Sequence, residues 1–166
     1  PQNPWPDTTS ALVVNWIKNE RSPLVGLKTV SYAENVIALE HAHAAGYSEA
    51  IFFDSKGNLC EGTGSNIFFV KDGALLTPSP ESGLLKGITR NLVMQLAESR
   101  GIPVKEGLFT LEDLKAADEA FLTSSTRDVH PLTVIAFDDS HGTRIEFGVG
   151  PVTQSLRDDF TQLITH

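Results

Sequence analysis

Apolar positions along the chain follow two rhythms, one of strands and one of helices. Residues 11–17 (ALVVNWI) form a β-rich apolar run and predict a strand. From 31 to 45, Tyr32, Ala33, Val36, Ile37, Glu40 and Ala44 recur at helical spacing, and Gly46 ends the pattern. Residues 49–54 (EAIFFD) predict a strand closed by the turn Ser55-Lys56-Gly57-Asn58, and Leu59 starts another that passes through CEGTGSN. IFFV at 67–70 and ALLT at 74–77 flank Lys71-Asp72-Gly73, which predicts a hairpin. After the loop TPSPESG, residues 87–100 form an amphipathic helix stopped by Gly101. A strand at 104–109 and a short helix at 111–117 follow, the helix N-capped by Thr110 with Asp113 three residues on. A strand at 119–123 ends in SSTRD, strands at 132–137 and 144–147 flank a turn at 138–142, and 153–164 is a closing helix. Hairpins beside crossovers predict an α/β (α+β) domain with a mixed, barrel-like sheet.

Composition narrows the class. The 166 residues suffice for one domain with a sizeable core, and 40% hydrophobic with 20% charged residues is ordinary for a globular protein. The formal charge of −8 argues against a nucleic-acid surface, which needs clustered cations. No apolar run approaches the ~20 residues of a membrane-spanning helix. The start, PQNPWP, lacks the basic and apolar regions of a signal peptide. A single cysteine, Cys60, excludes an internal disulfide and fits a reducing cytoplasm. The missing initiator methionine and the proline-rich opening suggest a fragment or a processed product.

Three features carry candidate chemistry. Lys28 closes an apolar approach (PLVGL) at a predicted strand–helix junction, a place suited to an amine that forms an imine. In CEGTGSN, Glu61 lies inside an apolar strand, and the glycines after it permit close backbone approach to a ligand. In LKGITR, Gly87 precedes a helix whose first turn, Ile88 and Thr89, offers free N–H groups to an anion. The hydroxyls of TSSTRD, at a strand end, can join that anion. Each feature alone has a plain structural reading, but a lysine, a strand glutamate, an anion cradle and a hydroxyl loop together are the parts of a pyridoxal 5'-phosphate site.

The stretch LKTVSYAENVIALEHAHAAGYSEAIFFDSKGNLCEGTGSNIFFVKDGALLTPS, with GLLKGITRNLV and ADEAFLTSSTRDVHPL after it, resembles the fold-type IV pyridoxal phosphate enzymes. These class IV aminotransferases include branched-chain and D-amino-acid aminotransferases and 4-amino-4-deoxychorismate lyases. The motifs stand in order from Lys28 to Pro131. The resemblance implies a Schiff-base role for Lys28 and a pairing of Glu61 with the pyridine nitrogen. Gly87, Ile88 and Thr89 would bind the phosphate, with Ser125 and Ser124 completing the cradle, and Thr126 would lie near the substrate carboxylate. Tyr32 would contact the cofactor, as a tyrosine near this position does in some members, although its spacing from the lysine differs by one residue. Asn66 would shape its loop.

Members of this family also carry a smaller N-terminal domain, which supplies an arginine to the phosphate and part of the substrate pocket. Only residues 1–27 precede Lys28 here, so the expected organisation is an N-terminal segment with one strand (1–27) and the cofactor-binding domain (28–166). The resemblance further implies a small-molecule amino substrate and a homodimer. Its motifs do not separate aminotransferase from lyase, although overall similarity leans to the aminotransferases. The alternative from another class is a catalytically inactive fragment that acts as a binding module. Other chemistries fit less well. Ser124, Ser125, Asp128 and His130 lack a nucleophile elbow. His41 and His43, two apart on a helix, diverge by about 200°, so no metal site is expected. GLLKGIT lacks the order of a P-loop.

Overall fold

The computed structural model describes residues 5–139 and 141–165; the prolines at 1 and 4, Ser140 of the predicted turn and the last residue lie outside them. The described elements are β1 (Thr9–Val13), α1 (Ala33–Ala44), β2 (Glu49–Phe53), β3 (Leu59–Gly62), β4 (Asn66–Lys71), β5 (Ala74–Pro78), α2 (Ile88–Ser99), β6 (Val104–Gly107), α3 (Leu111–Lys115), β7 (Glu119–Ser124), β8 (Asp128–Phe137), β9 (Arg144–Glu146) and α4 (Pro151–Thr165).

The strands form one mixed sheet in the order β3-β2-β1-β8-β7-β4-β5-β6, with β9 on β8. β1 runs parallel to β2 and β8, and β5 runs parallel to β6. The hairpins β4–β5 and β7–β8 are antiparallel. The sheet curls until its two ends approach: the Leu59 N–H donates to the Phe109 carbonyl at 2.7 Å, and Asn58 pairs with Thr110 in an isolated bridge. Ile51, Leu59, Ile67, Phe69, Leu122 and Ile135 fill the concave side. The fold is the expected mixed α/β, barrel-like arrangement.

Local rules account for much of this. The predicted β4–β5 turn holds Asp72 at φ 51° and Gly73 at φ 74°, the two left-handed positions that a tight hairpin needs. Thr110 and Asp113 close a reciprocal capping box on α3. Three expectations are corrected. β1 stops at Val13, short of the predicted 17, because the ladder to β2 lapses after Val14 and resumes only at an isolated bridge between Lys18 and Asp54. β8 starts at Asp128, four residues before the predicted 132. Pairing with β7 carries the ladder through His130 and Pro131, a residue that ordinarily argues against a strand. α1 buries Asn35, Ala38 and Ala42 and leaves Val36 and Ile37 exposed. Small alanines let the helix lie close on Phe52 of β2, so its larger apolar residues face outward.

α2 and α4 cover the other face of the sheet over Phe68, Phe121 and Val129, with Val93, Ala97, Leu156 and Phe160 as their contribution. Glu119 at the start of β7 accepts the Val152 and Thr153 N–H groups at 3.2 and 2.7 Å, placing an anion at the N-terminus of α4. No helix among the described residues is long and apolar enough to cross a membrane.

Candidate active site

At one end of the sheet a cavity of about 560 Å³ opens between the segment before α1, the β3–β4 loop, the N-terminus of α2 and the end of β7. Lys28, Tyr32, Glu61, the residues 87–89, Ser124 and Ser125 all line it, although about a hundred positions separate the first from the last. Thr126 is not among the lining residues; its carbonyl accepts the Trp5 indole N–H at 2.9 Å.

Lys28 is not where a strand ends. It lies in an irregular segment well after β1, and it is exposed rather than buried. This segment turns on short-range bonds, Val25 N–H to the Ser22 carbonyl, Leu27 N–H to Leu24 and Ser31 N–H to the Thr29 hydroxyl. Pro23 and Gly26 break any ladder there, and Leu24 and Leu27 find no core to enter.

Glu61 is the buried acid of the wall, 7% exposed. Its Oε2 accepts the Leu85 N–H at 2.9 Å, and its Oε1 lies 3.5 Å from Lys18 Nζ. Burial pushes its carboxyl above the usual range; the Leu85 N–H and Lys18 work against that shift, and the Glu49 charge adds to it. Lys18 also donates to Asn35 Oδ1 at 3.3 Å and stands 5.2 Å from the centre of the Phe52 ring. Asn35 Nδ2 and the Tyr32 hydroxyl both donate to the Thr63 carbonyl, the former at 2.7 Å. Desolvation raises the Tyr32 phenol above its ordinary value.

The cradle is built by Gly87. It is the N-cap of α2 and brings no side chain to the first-turn N–H groups, which stay available to an anion. A β-carbon there would stand 2.4 Å from Asn66 Oδ1, so the position has no room for one. Asn66 in turn donates to the Leu85 carbonyl at 2.8 Å, bracing the approach to the helix. Thr89 is buried and Ile88 exposed. Ser124 Oγ accepts the Arg127 N–H at 3.1 Å and so shapes its own turn. Lys18, Lys28 and Lys86 give this wall three ammonium groups in a chain of net charge −8, which suits an anionic ligand.

His41 faces Asp138 at 2.9 Å and His43 faces Glu40, and the described residues hold no metal-ligating cluster. His130 Nε2 stands 2.7 Å from the Pro6 carbonyl. Burial pushes the Cys60 thiol up to about 12, which leaves it a poor nucleophile.

Sequence reasoning missed Lys18, Asn35 and Glu49. Lys18 and Asn35 line the cavity, and their only signal was a polar residue at the edge of an apolar run and in a helix's first turn. Lys18 yields a pH-dependent prediction. The folded chain binds a proton at Glu61 more tightly than the unfolded chain does. Its burial therefore costs stability above the folded-state midpoint, and that cost vanishes on acidification. Lys18→Met raises the midpoint further. The variant is expected to lose about 1–3 kcal/mol at neutral pH, and less as the pH falls through the Glu61 midpoint. Urea unfolding of both proteins across that range checks this; a loss independent of pH contradicts it.

The sequence profile of the family described as amino-transferase class IV matches residues 1–135. A Methanocaldococcus jannaschii protein assigned as a branched-chain-amino-acid aminotransferase is 40% identical over 139 residues, covering 84% of this chain and 47% of its own. A D-alanine aminotransferase of Listeria monocytogenes is 35% identical over 153 residues, 92% of this chain and 49% of its own. Among solved structures, a Legionella pneumophila protein assigned as a 4-amino-4-deoxychorismate lyase superposes with a TM-score of 0.87 at 29% identity, covering 96% of this chain and 57% of the other. A branched-chain amino acid aminotransferase from Thermobaculum terrenum in its pyridoxal phosphate form gives 0.84 at 33%, covering 95% and 51%. The chain spans about half the length of the curated relatives it matches.

Proposed function

This chain belongs to the amino-transferase class IV family, and from that premise we propose that its cavity holds pyridoxal 5'-phosphate and serves amino-group transfer, with Lys28 as the covalent anchor. One observation carries the reading: Lys28, Glu61 and the N-terminus of α2, remote in sequence, line a single cavity. The residues fit the group. A glycine N-cap with uncommitted N–H groups suits a phosphate, and a buried carboxyl already held by Lys18 and Leu85 suits a ring nitrogen.

When bound, pyridoxal phosphate captures an amine at its aldehyde carbon and takes up the electron pair left when the substrate Cα–H bond breaks. Lys28 would hold the group at that carbon through its Nζ, with loss of water, and its amine, when free, would carry the proton at the substrate Cα. Glu61 holds a proton at the ring nitrogen. The N–H groups of Ile88 and Thr89, with the Ser125 hydroxyl, fix the phosphate, and Ser124 keeps the turn around Ser125 in shape. Tyr32, anchored on the Thr63 carbonyl, would border the ring, and the Ser125–Thr126 backbone, with Ser125 in the wall, would lie near the substrate carboxylate. The wider proposal is a cytoplasmic homodimer in which a smaller N-terminal domain completes the pocket, acting as an aminotransferase in preference to a lyase. The exposure of Lys28 favours one second reading, binding of the cofactor without turnover.

Incubation with pyridoxal phosphate, borohydride reduction and peptide mapping tests the proposal. A reduced adduct on Lys28 is expected, and an unlabelled Lys28 overturns it. Amino transfer to 2-oxoglutarate against pyruvate release from aminodeoxychorismate then separates the two activities, and an adduct with neither leaves binding alone.

A further inference from the structure

Glu49 opens β2 at 2% exposure, outside the cavity lining. A carboxylate so far from water needs donors around it. Glu49 Oε1 accepts the Ala50 N–H at 3.0 Å, the Thr63 N–H at 3.1 Å and the Thr63 hydroxyl, and Oε2 accepts the Ser65 hydroxyl at 3.0 Å. All but the Ala50 N–H come from the β3–β4 loop. The loop is drawn in so closely that a β-carbon on Gly62 would stand 3.2 Å from Glu49 Cδ and 2.3 Å from Ser65 Oγ.

The other side of the same loop faces the cavity. There the Thr63 carbonyl receives Tyr32 and Asn35, Asn35 receives Lys18, and Lys18 stands beside Glu61. A continuous polar path therefore runs from Glu49 through Thr63, Asn35 and Lys18 to Glu61, while the backbone joins Glu61 directly to Gly62. We infer that Glu49 is a positioning residue of this site: from behind the wall it sets the loop that aims Glu61 and seats Tyr32. The inference rests on the cofactor reading above for its functional meaning, since Glu49 touches no part of the cavity itself.

Two variants test it. Glu49→Gln keeps the shape and one acceptor oxygen, and the Ser65 hydroxyl can turn to accept from the new amide. Glu49→Ala removes all four bonds. The first measurement is the Glu61 carboxyl titration by NMR in the cofactor-free chain. The titratable groups facing Glu61 are Lys18, Glu49, Tyr32 and Cys60. Loss of the like charge lowers the Glu61 midpoint in both variants whatever the role of Glu49; a loop no longer held admits water, so the midpoint in Glu49→Ala is expected to fall below that in Glu49→Gln. The second is pyridoxal phosphate affinity, expected to weaken by about 10–100-fold in Glu49→Ala, the range for losing a partner behind a contacting residue. A purely structural role lowers the melting temperature, gives the two variants the same Glu61 midpoint and leaves the affinity at its wild-type value, and that result overturns the inference. If Glu49→Ala does not fold, Glu49→Asp decides: it keeps the charge but draws it back from Thr63 and Ser65, and an unchanged Glu61 midpoint with unchanged affinity overturns the inference. If the wild-type chain takes up no pyridoxal phosphate, the cofactor reading fails, and the midpoint still decides the role of Glu49.

Discussion

Lys28→Ala yields a folded chain that forms no borohydride-stable bond with pyridoxal phosphate at residue 28 and shows no measurable turnover. Lys28 is exposed, so its removal should change stability by less than about 0.5 kcal/mol. On the proposed reading the loss of chemistry is large because one side chain would serve two roles. The proton transfer alone accounts for about 10²–10⁴ in rate, and the covalent anchor is lost with it. Lys28→Arg is the informative companion: it keeps a cation in place, but its guanidinium does not give up a proton to become a free amine. It should retain part of the anion attraction and none of the adduct. The measurement is the mass of the reduced complex beside a thermal melt. Undiminished labelling of the alanine variant would transfer the anchor to Lys18 or Lys86, which share the wall, and would end the assignment to Lys28.

Phe121→Ala is expected to cost about 3–5 kcal/mol and to lower the melting temperature by roughly 10 °C. Phe121 and Phe68 lie directly opposite each other across β7 and β4, fully buried, with ring centroids 5.0 Å apart and planes 7° from parallel. A truncated ring leaves a void that close-packed neighbours fill only in part. The same cluster seats Val93 and Ala97, so the loss also loosens the helix whose N-terminus forms the cradle. Anion binding should weaken even below the melting transition. Phe121→Leu, closer in volume, should lose less than half as much. Thermal melts of both variants, with phosphate affinity measured well below each midpoint, check the coupling. A melting temperature within ~2 °C of wild type in Phe121→Ala contradicts it.

The resemblance named pyridoxal phosphate, but the physical content of the site was only partly legible along the chain. CEGTGSN marked a place where backbone comes close, and the structure shows what approaches: Gly62 against Glu49 and Ser65. LKGITR marked an open helix start, and Gly87 is its N-cap. The apolar approach PLVGL predicts a strand end at Lys28, yet Leu24 and Leu27 are exposed and the segment turns on local bonds. Nothing along the chain marks Glu49, since an acidic residue at the start of a strand usually faces water.

By itself the sequence determined whatever acts over a few residues: the strand and helix periods, the Asp72–Gly73 turn, the Thr110 cap and the order of the motifs. Only the tertiary structure decided which of these meet. β1 had to insert between β2 and β8, and β4 beside β7, before Lys18, Asn35 and Glu61 could share a wall with the N-terminus of α2. α1 turned its alanines inward against its own larger apolar residues for the same reason. Local preferences are settled by the nearest three or four neighbours, whereas burial and convergence depend on partners a hundred residues away that no local pattern names.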